Sequence, residues 1–144
     1  MERQVRDRFE FSASAAEERR IRVTAIDHAA IKTARLRETI AFFVDVLGLR
    51  VGPRPAFDFP GVWLYAGDKD VVHLVETEQD KLPSPAASIN HFALRVADFD
   101  AALARLEQLG VAFETDVTPG GELRQAYVTD PNGVRVELNA PGRG

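Results

Sequence analysis

The stretch Ile89-Asn90-His91-Phe92-Ala93-Leu94-Arg95-Val96 decides how this chain is read, because it echoes an earlier one, Ile26-Asp27-His28-Ala29-Ala30-Ile31-Lys32-Thr33. Each is a short strand-like run with a histidine at its third position, and the two histidines stand 63 residues apart. A second pair recurs at nearly the same separation. His73, in Val71-Val72-His73-Leu74-Val75, follows His28 by 45 residues, and Glu137, in Val134-Arg135-Val136-Glu137-Leu138, follows His91 by 46. Between anchor and partner each half carries a helical stretch ending in Leu-Gly, Leu47-Gly48 and then Leu109-Gly110. Such spacing marks an internal duplication.

Working outward, the first module spans residues 21 to 77. Ile21 to Thr33 reads as a strand with Ile26, His28 and Ala30 on one face, since side chains alternate along a strand. Thr33 can cap the helix that follows, in which Leu36, Ile40, Phe43, Val44 and Leu47 recur at helical spacing. Gly48 suits the left-handed position just past its end. Strands are expected from Leu49 to Gly52, Val62 to Ala66 and Val71 to Glu76, with Gly67-Asp68-Lys69-Asp70 as the turn before the last.

Residues 78 to 87, with Pro83 and Pro85, read as a linker. The second module, 88 to 140, repeats the order: a strand at 88 to 96, a helix near 99 to 109 capped by Asp98 or Asp100, then strands near 111 to 116, 124 to 129 and 134 to 139. Asp130-Pro131-Asn132-Gly133 is a strong turn signal, because proline presets one turn angle and Asn-Gly accepts positive φ. The expected fold class is therefore α+β, two tandem strand-helix-strand-strand-strand modules. Each helix covers one face of its sheet and leaves the other as a concave site. Residues 1 to 20 mix both charge signs, lie outside the repeat, and read as an N-terminal arm.

Composition narrows the function. A chain of 144 residues suits one compact domain or two small halves sharing a core. The net charge of -4 gives no basic footprint for nucleic acid. No apolar run approaches the length that spans a bilayer, and residues 1 to 20 hold no continuous apolar segment of a secretory signal, so a cytoplasmic enzyme of bacterial type is expected. With no cysteine in the chain, a tight metal site must use imidazole and carboxylate.

The three histidines of the chain all occupy repeat-equivalent positions, and the fourth such position is Glu137. If the first and last strands of each module are neighbours, His28, His73, His91 and Glu137 can converge near the pseudo-twofold axis. Three imidazoles and a carboxylate suit a borderline divalent ion such as Zn, Ni, Co, Mn or Fe(II). A lone strand histidine is more often a core or surface residue; the joint placement is what points to a metal. Glu76 competes for the first-module position but, three residues from His73, falls on the opposite face of a regular strand.

The segments Ile26 to Ile31, Ala41 to Leu49, Val72 to Leu74, Asn90 to Leu94 and Thr129 to Leu138 together resemble the vicinal oxygen chelate superfamily. It includes glyoxalase I, bleomycin- and fosfomycin-resistance proteins, methylmalonyl-CoA epimerase and extradiol dioxygenases. The resemblance covers residues 21 to 140 and implies paired βαβββ modules forming a cupped mixed sheet around a metal that chelates adjacent substrate oxygens. It places His28, His91 and Glu137 at ligand positions; His73 takes a position held by glutamate in many glyoxalase I proteins. The activity implied is a metal-dependent lyase or isomerase moving a proton on a small oxygenated substrate, with Glu137 as catalytic base. A ring-cleaving dioxygenase and a metal-free antibiotic-binding protein are the alternatives. Family members commonly pair modules across a twofold axis, which implies a homodimer.

Arg54, Phe57, Phe59 and Trp63 crowd one loop and strand start. They read either as an apolar substrate-binding rim, with Arg54 facing a carboxylate, or as the plug of a hydrophobic seam. Lys32 and Arg95, each four residues beyond its histidine, can flank the cup as anion contacts or stand as solvated strand ends.

Overall fold

The computed structural model describes residues 20–143, so the N-terminal arm, Arg20 apart, lies outside the described residues. Two βαβββ units follow one another. The first comprises β1 (Ala29–Thr33), helix α1 (Leu36–Ala41), β2 (Arg50–Gly52), β3 (Gly61–Ala66) and β4 (Lys69–Glu76). The second comprises β5 (His91–Arg95), α2 (Phe99–Gln108), β6 (Glu114–Val117), β7 (Leu123–Thr129) and β8 (Arg135–Pro141). Each builds its own four-stranded mixed sheet, ordered β1-β4-β3-β2 and β5-β8-β7-β6. The first and last strands of each unit are parallel neighbours and the remaining pairings are antiparallel. Among the described residues no helix is long and apolar enough to cross a membrane.

Both helices stop in the same way. After α1 the chain widens into a π-helical turn, Phe42–Val46, before Gly48 enters the left-handed region at φ 75°. The Leu49 N–H then returns to the Phe43 carbonyl at 2.9 Å, and the Val111 N–H returns to Leu106 at 2.9 Å across Gly110, φ 67°. These bonds satisfy carbonyls that a helix end leaves unpaired, and a residue with a Cβ would be strained at either glycine. At the other end, Asp98 caps α2 by accepting the Ala101 N–H, whereas Thr33 accepts the Arg35 N–H just before α1.

One apolar side of each sheet is sealed by its helix. Phe43, Leu64, Val72 and Leu74 are fully buried in the first unit, and Leu106, Ala126, Val128 and Val136 in the second. Each large side chain so removed from water contributes roughly 1.5–3 kcal/mol. The units touch through Phe43 and Phe92, stacked at 6.4 Å, and through a polar knot. In it Thr33 donates to Asn132 Oδ1 at 2.6 Å, while Asn132 Nδ2 donates to Thr39 at 3.0 Å and to Asp130 at 2.9 Å. The Asp130-Pro131-Asn132-Gly133 turn is thus also the clasp between the halves.

The first strand is shorter than the alternation of Ile21 to Thr33 suggests. Regular pairing begins at Ala29, and Ile21, Val23 and Ile26 are exposed. Alternation records that one face wants burial; it does not say that a neighbouring strand is there to pair with.

Candidate metal centre

The duplication reappears as register. Ala30 pairs with His73 across β1 and β4, and Ala93 pairs with Glu137 across β5 and β8. Each partner lies opposite the residue two beyond its anchor histidine, so anchor and partner project from the same sheet face. Across the other neighbour, Trp63 pairs with His73 and Tyr127 with Glu137. The structure gathers the expected ligands as two pairs, His28 with His73 and His91 with Glu137.

In the first pair the rings stack. His28 and His73 have centroids 3.7 Å apart, and Trp63 covers the far side of His73 at 4.0 Å and 6° from parallel. A carboxylate holds each imidazole by one nitrogen: Asp27 Oδ2 lies 2.7 Å from His28 Nδ1, and Asp70 Oδ2 lies 2.5 Å from His73 Nε2. That leaves His28 Nε2 open, and His73 Nε2 can take a ligand once its bond to Asp70 is exchanged. Lys69 bridges the two carboxylates, 3.0 Å from Asp27 and 3.2 Å from Asp70. The hydrogen bond from His73 holds the Asp70 carboxyl down at about 2, and that from His28, helped by Lys69, lowers Asp27.

Asp70 escapes the sequence reading, and the reason is local. In a regular strand, positions 70 and 73 face opposite ways. Here Leu64 pairs with Val72 but Tyr65 pairs with Asp70, so Val71 is an extra residue. This bulge reverses the alternation and brings Asp70 round to the face of His73. His28, Asp70 and His73 each offer a ligand atom within 4.8 Å of the others. A turn rich in Gly and Asp just ahead of the strand is the one sequence signal that could have marked it.

In the second pair Glu137, only 5% exposed, is fixed by side-chain amides. Gln125 Nε2 donates to Oε1 at 3.0 Å, Asn139 Nδ2 donates to Oε2 at 2.7 Å, and His91 Nε2 lies 3.4 Å from Oε1. Tyr127 stands edge-on to His91 at 5.7 Å. Burial, then the hydrogen bond with Glu137, pushes its hydroxyl up. Gln125, Tyr127 and Asn139 carry no motif that marks them in the sequence; they fall at alternate positions on β7 and β8, facing Glu137.

His28 and His91 also border one cavity of about 810 Å³ between β1 and β5, walled by Ile26, Ile89, Phe92 and Leu82. His73, Glu137 and Trp63 lie outside its wall. Arg54 packs its guanidinium over Phe57 and Phe59 and donates to the Phe59 carbonyl at 2.9 Å. Phe57 stacks on Phe59 at 5.1 Å and leans towards Trp63 at 6.2 Å, so this cluster adjoins the His73 stack. Lys32 and Arg95 are exposed.

The donor chemistry fits a divalent cation. Two imidazoles with free nitrogens stand beside a carboxylate in one unit, and an imidazole and a buried carboxylate in the other. Next to Glu137 the buried Asn139 Oδ1 has no hydrogen-bond partner, and an unmatched acceptor beside a carboxylate is a place for positive charge.

A family model described as Glyoxalase/Bleomycin resistance protein/Dioxygenase superfamily matches residues 25–138. The chain is similar to the lactoylglutathione lyase of Salmonella typhimurium, 28% identical over 119 residues, covering 77% of this chain and 88% of that one. It is 30% identical over 122 residues to the uncharacterized protein YaeR of Escherichia coli, covering 78% and 93%. Among solved structures, a glyoxalase family protein from Bacillus anthracis superposes with a TM-score of 0.72 at 25% identity, covering 85% and 98%. The fosfomycin resistance protein FosX of Listeria monocytogenes shares the fold, with a TM-score of 0.65 at 18% identity, covering 83% and 94%.

Proposed function

Because this chain belongs to the glyoxalase/bleomycin resistance protein/dioxygenase superfamily, we propose that it is a metal-dependent lyase or isomerase of the glyoxalase type, working in the cytoplasm on a small oxygenated substrate by proton transfer. The observation that carries this reading is the shared register, Ala30 with His73 and Ala93 with Glu137, which gives each unit half of a ligand set on one sheet face. His28, His73, His91 and Glu137 would hold the cation, one of Zn, Ni, Co, Mn or Fe(II). When bound, such an ion polarises a carbonyl or enediol oxygen and so lowers the cost of charge developing there.

The chain's own residues supply the rest. Glu137 is the base: its carboxylate is buried, oriented by Gln125 and Asn139, and within reach of His91. Tyr127, kept protonated by burial and by Glu137, donates towards that carboxylate. Trp63, with Phe57 and Phe59 beyond it, forms the apolar wall beside His73 and suits the carbon part of a substrate. Arg54 stiffens that wall, and Lys32 and Arg95 are left to meet an anionic substrate group at the rim.

The halves are completed by a second copy. Ile21, Val23, Ile26 and Ile89, all exposed, lead into His28 and His91, and a homodimer would cover them. The test is metal analysis after chelation and refilling with Ni, Zn, Mn or Fe(II), with hemithioacetal turnover followed under air and under argon. Oxygen-independent turnover lost in His91→Ala supports the lyase or isomerase. Stoichiometric oxygen uptake with a catechol favours the dioxygenase, and tight ligand binding without metal favours a sequestering protein.

A further inference from the structure

We propose that the first unit carries a complete cation site of its own, His28, Asp70 and His73, in which Asp70 is a ligand and the ion loads without help from His91 or Glu137. This rests on the reading that the protein takes a divalent cation.

The argument starts from the bulge. An extra residue in β4 is the feature that carries Asp70 to the face of His73, and bulges recur where a side chain has to be re-aimed near a site. The result is two imidazoles and one carboxylate with ligand atoms within 4.8 Å, a donor set that holds divalent metals on one side and leaves positions open on the other. Asp70 and His73 side chains are 20% and 13% exposed, so both are partly shielded from solvent. Asp27, which grips His28 Nδ1 and carries Lys69, stands behind the set as its orienting partner. Lys69, 3.2 Å from Asp70, places a positive charge against the carboxylate from which the ion would draw it.

By contrast, both oxygens of Glu137 already accept amide hydrogens. On loading, the His73–Asp70 hydrogen bond is exchanged for two coordinate bonds. His28 and His73 bind as neutral rings, the Nε2 proton of His73 passing to Nδ1 by way of solvent, and Asp70 binds as carboxylate.

The experiment is calorimetric titration of the full-length, chelator-treated protein with Co(II), together with the visible absorption of the bound ion. Four proteins are compared: the parent, His91→Ala/Glu137→Gln, that double variant with Asp70→Asn added, and Asp70→Asn alone. The amide introduced by Asp70→Asn keeps an acceptor oxygen for the His73 ring, so a merely orienting role would survive the change. Expected are one Co(II) per chain in the double variant and, on adding Asp70→Asn, an affinity loss of at least about ten- to hundredfold with an altered Co(II) spectrum. A double variant that binds no Co(II) while the parent binds overturns the self-contained site and leaves the four-ligand reading standing. Unchanged affinity and spectrum on adding Asp70→Asn overturn Asp70 as a ligand. A parent that binds no cation overturns both readings.

Discussion

His73 lies flat against Trp63, ring centroids 4.0 Å apart and planes 6° from parallel, and Trp63 is the only tryptophan in the chain. The indole emission therefore reports one place. Addition of Co(II) or Ni(II) to chelated protein is expected to quench most of it, in step with stoichiometric binding, and His73→Ala to abolish the response. Emission that ignores a cation shown to bind by calorimetry would place that cation away from His73.

Glu137→Gln keeps the shape and a partner for Asn139 but removes the base. Turnover should fall by about 10²–10⁴-fold, the usual worth of a positioned proton acceptor, while substrate and metal still bind. Steady-state kinetics with paired metal titration measures this. An unchanged kcat would remove Glu137 from the chemistry.

Asn132→Ala unties the clasp between the units. It leaves Thr33 and Thr39 without their shared partner in a part-buried site, at a cost of about 1–3 kcal/mol. Urea unfolding should show a lower midpoint with little change in slope. A loss below a few tenths of a kcal/mol would mean that Phe43 on Phe92 and the linker hold the halves unaided.

How far the sequence reached follows from what each signal encodes. The spacing of His28, His73, His91 and Glu137 marked the two units as equivalent, because repeat-equivalent positions adopt equivalent registers when both units fold alike; that first and last strands are neighbours entered only as a condition, which the fold meets. Gly48 and Gly110 announced the helix ends because only the backbone they allow fits there. Asp70 stayed hidden since a bulge is a property of the pairing between β3 and β4, and alternation along β4 alone gives the opposite face. Asn132 reads locally as a turn former; its grip on Thr33, 99 residues earlier, is a tertiary contact that no local pattern carries. Thr33 and Thr39 likewise read as a cap and a helix residue, and only the folded chain makes them buried partners of Asn132.

Acid should also act at the second unit's surface. Arg124, 2.6 Å away, and Arg143 hold the Asp100 carboxyl down from 3.8 to about 2. A carboxyl lowered on folding stabilises the fold above its unfolded value, and that stabilisation fades as pH falls from 3.8 through about 2. Asp100→Asn should therefore lower Tm slightly at neutral pH and much less near pH 2, the group being exposed and screened. Equal differences at both pH values, followed by calorimetric scans, would refute the assignment.

The extra residue at Val71 also changes what a small genetic lesion does to this protein. Loss of one residue from a sheet strand normally throws everything beyond it onto the wrong face. Here, removing Val71 would restore regular alternation between β3 and β4, leave His73 and all that follows in phase, and keep Asp70 opposite Tyr65, two places before His73 and on the same face. A single-codon deletion at this one place is thus a change the first unit can absorb, its two imidazoles and carboxylate still gathered on one face.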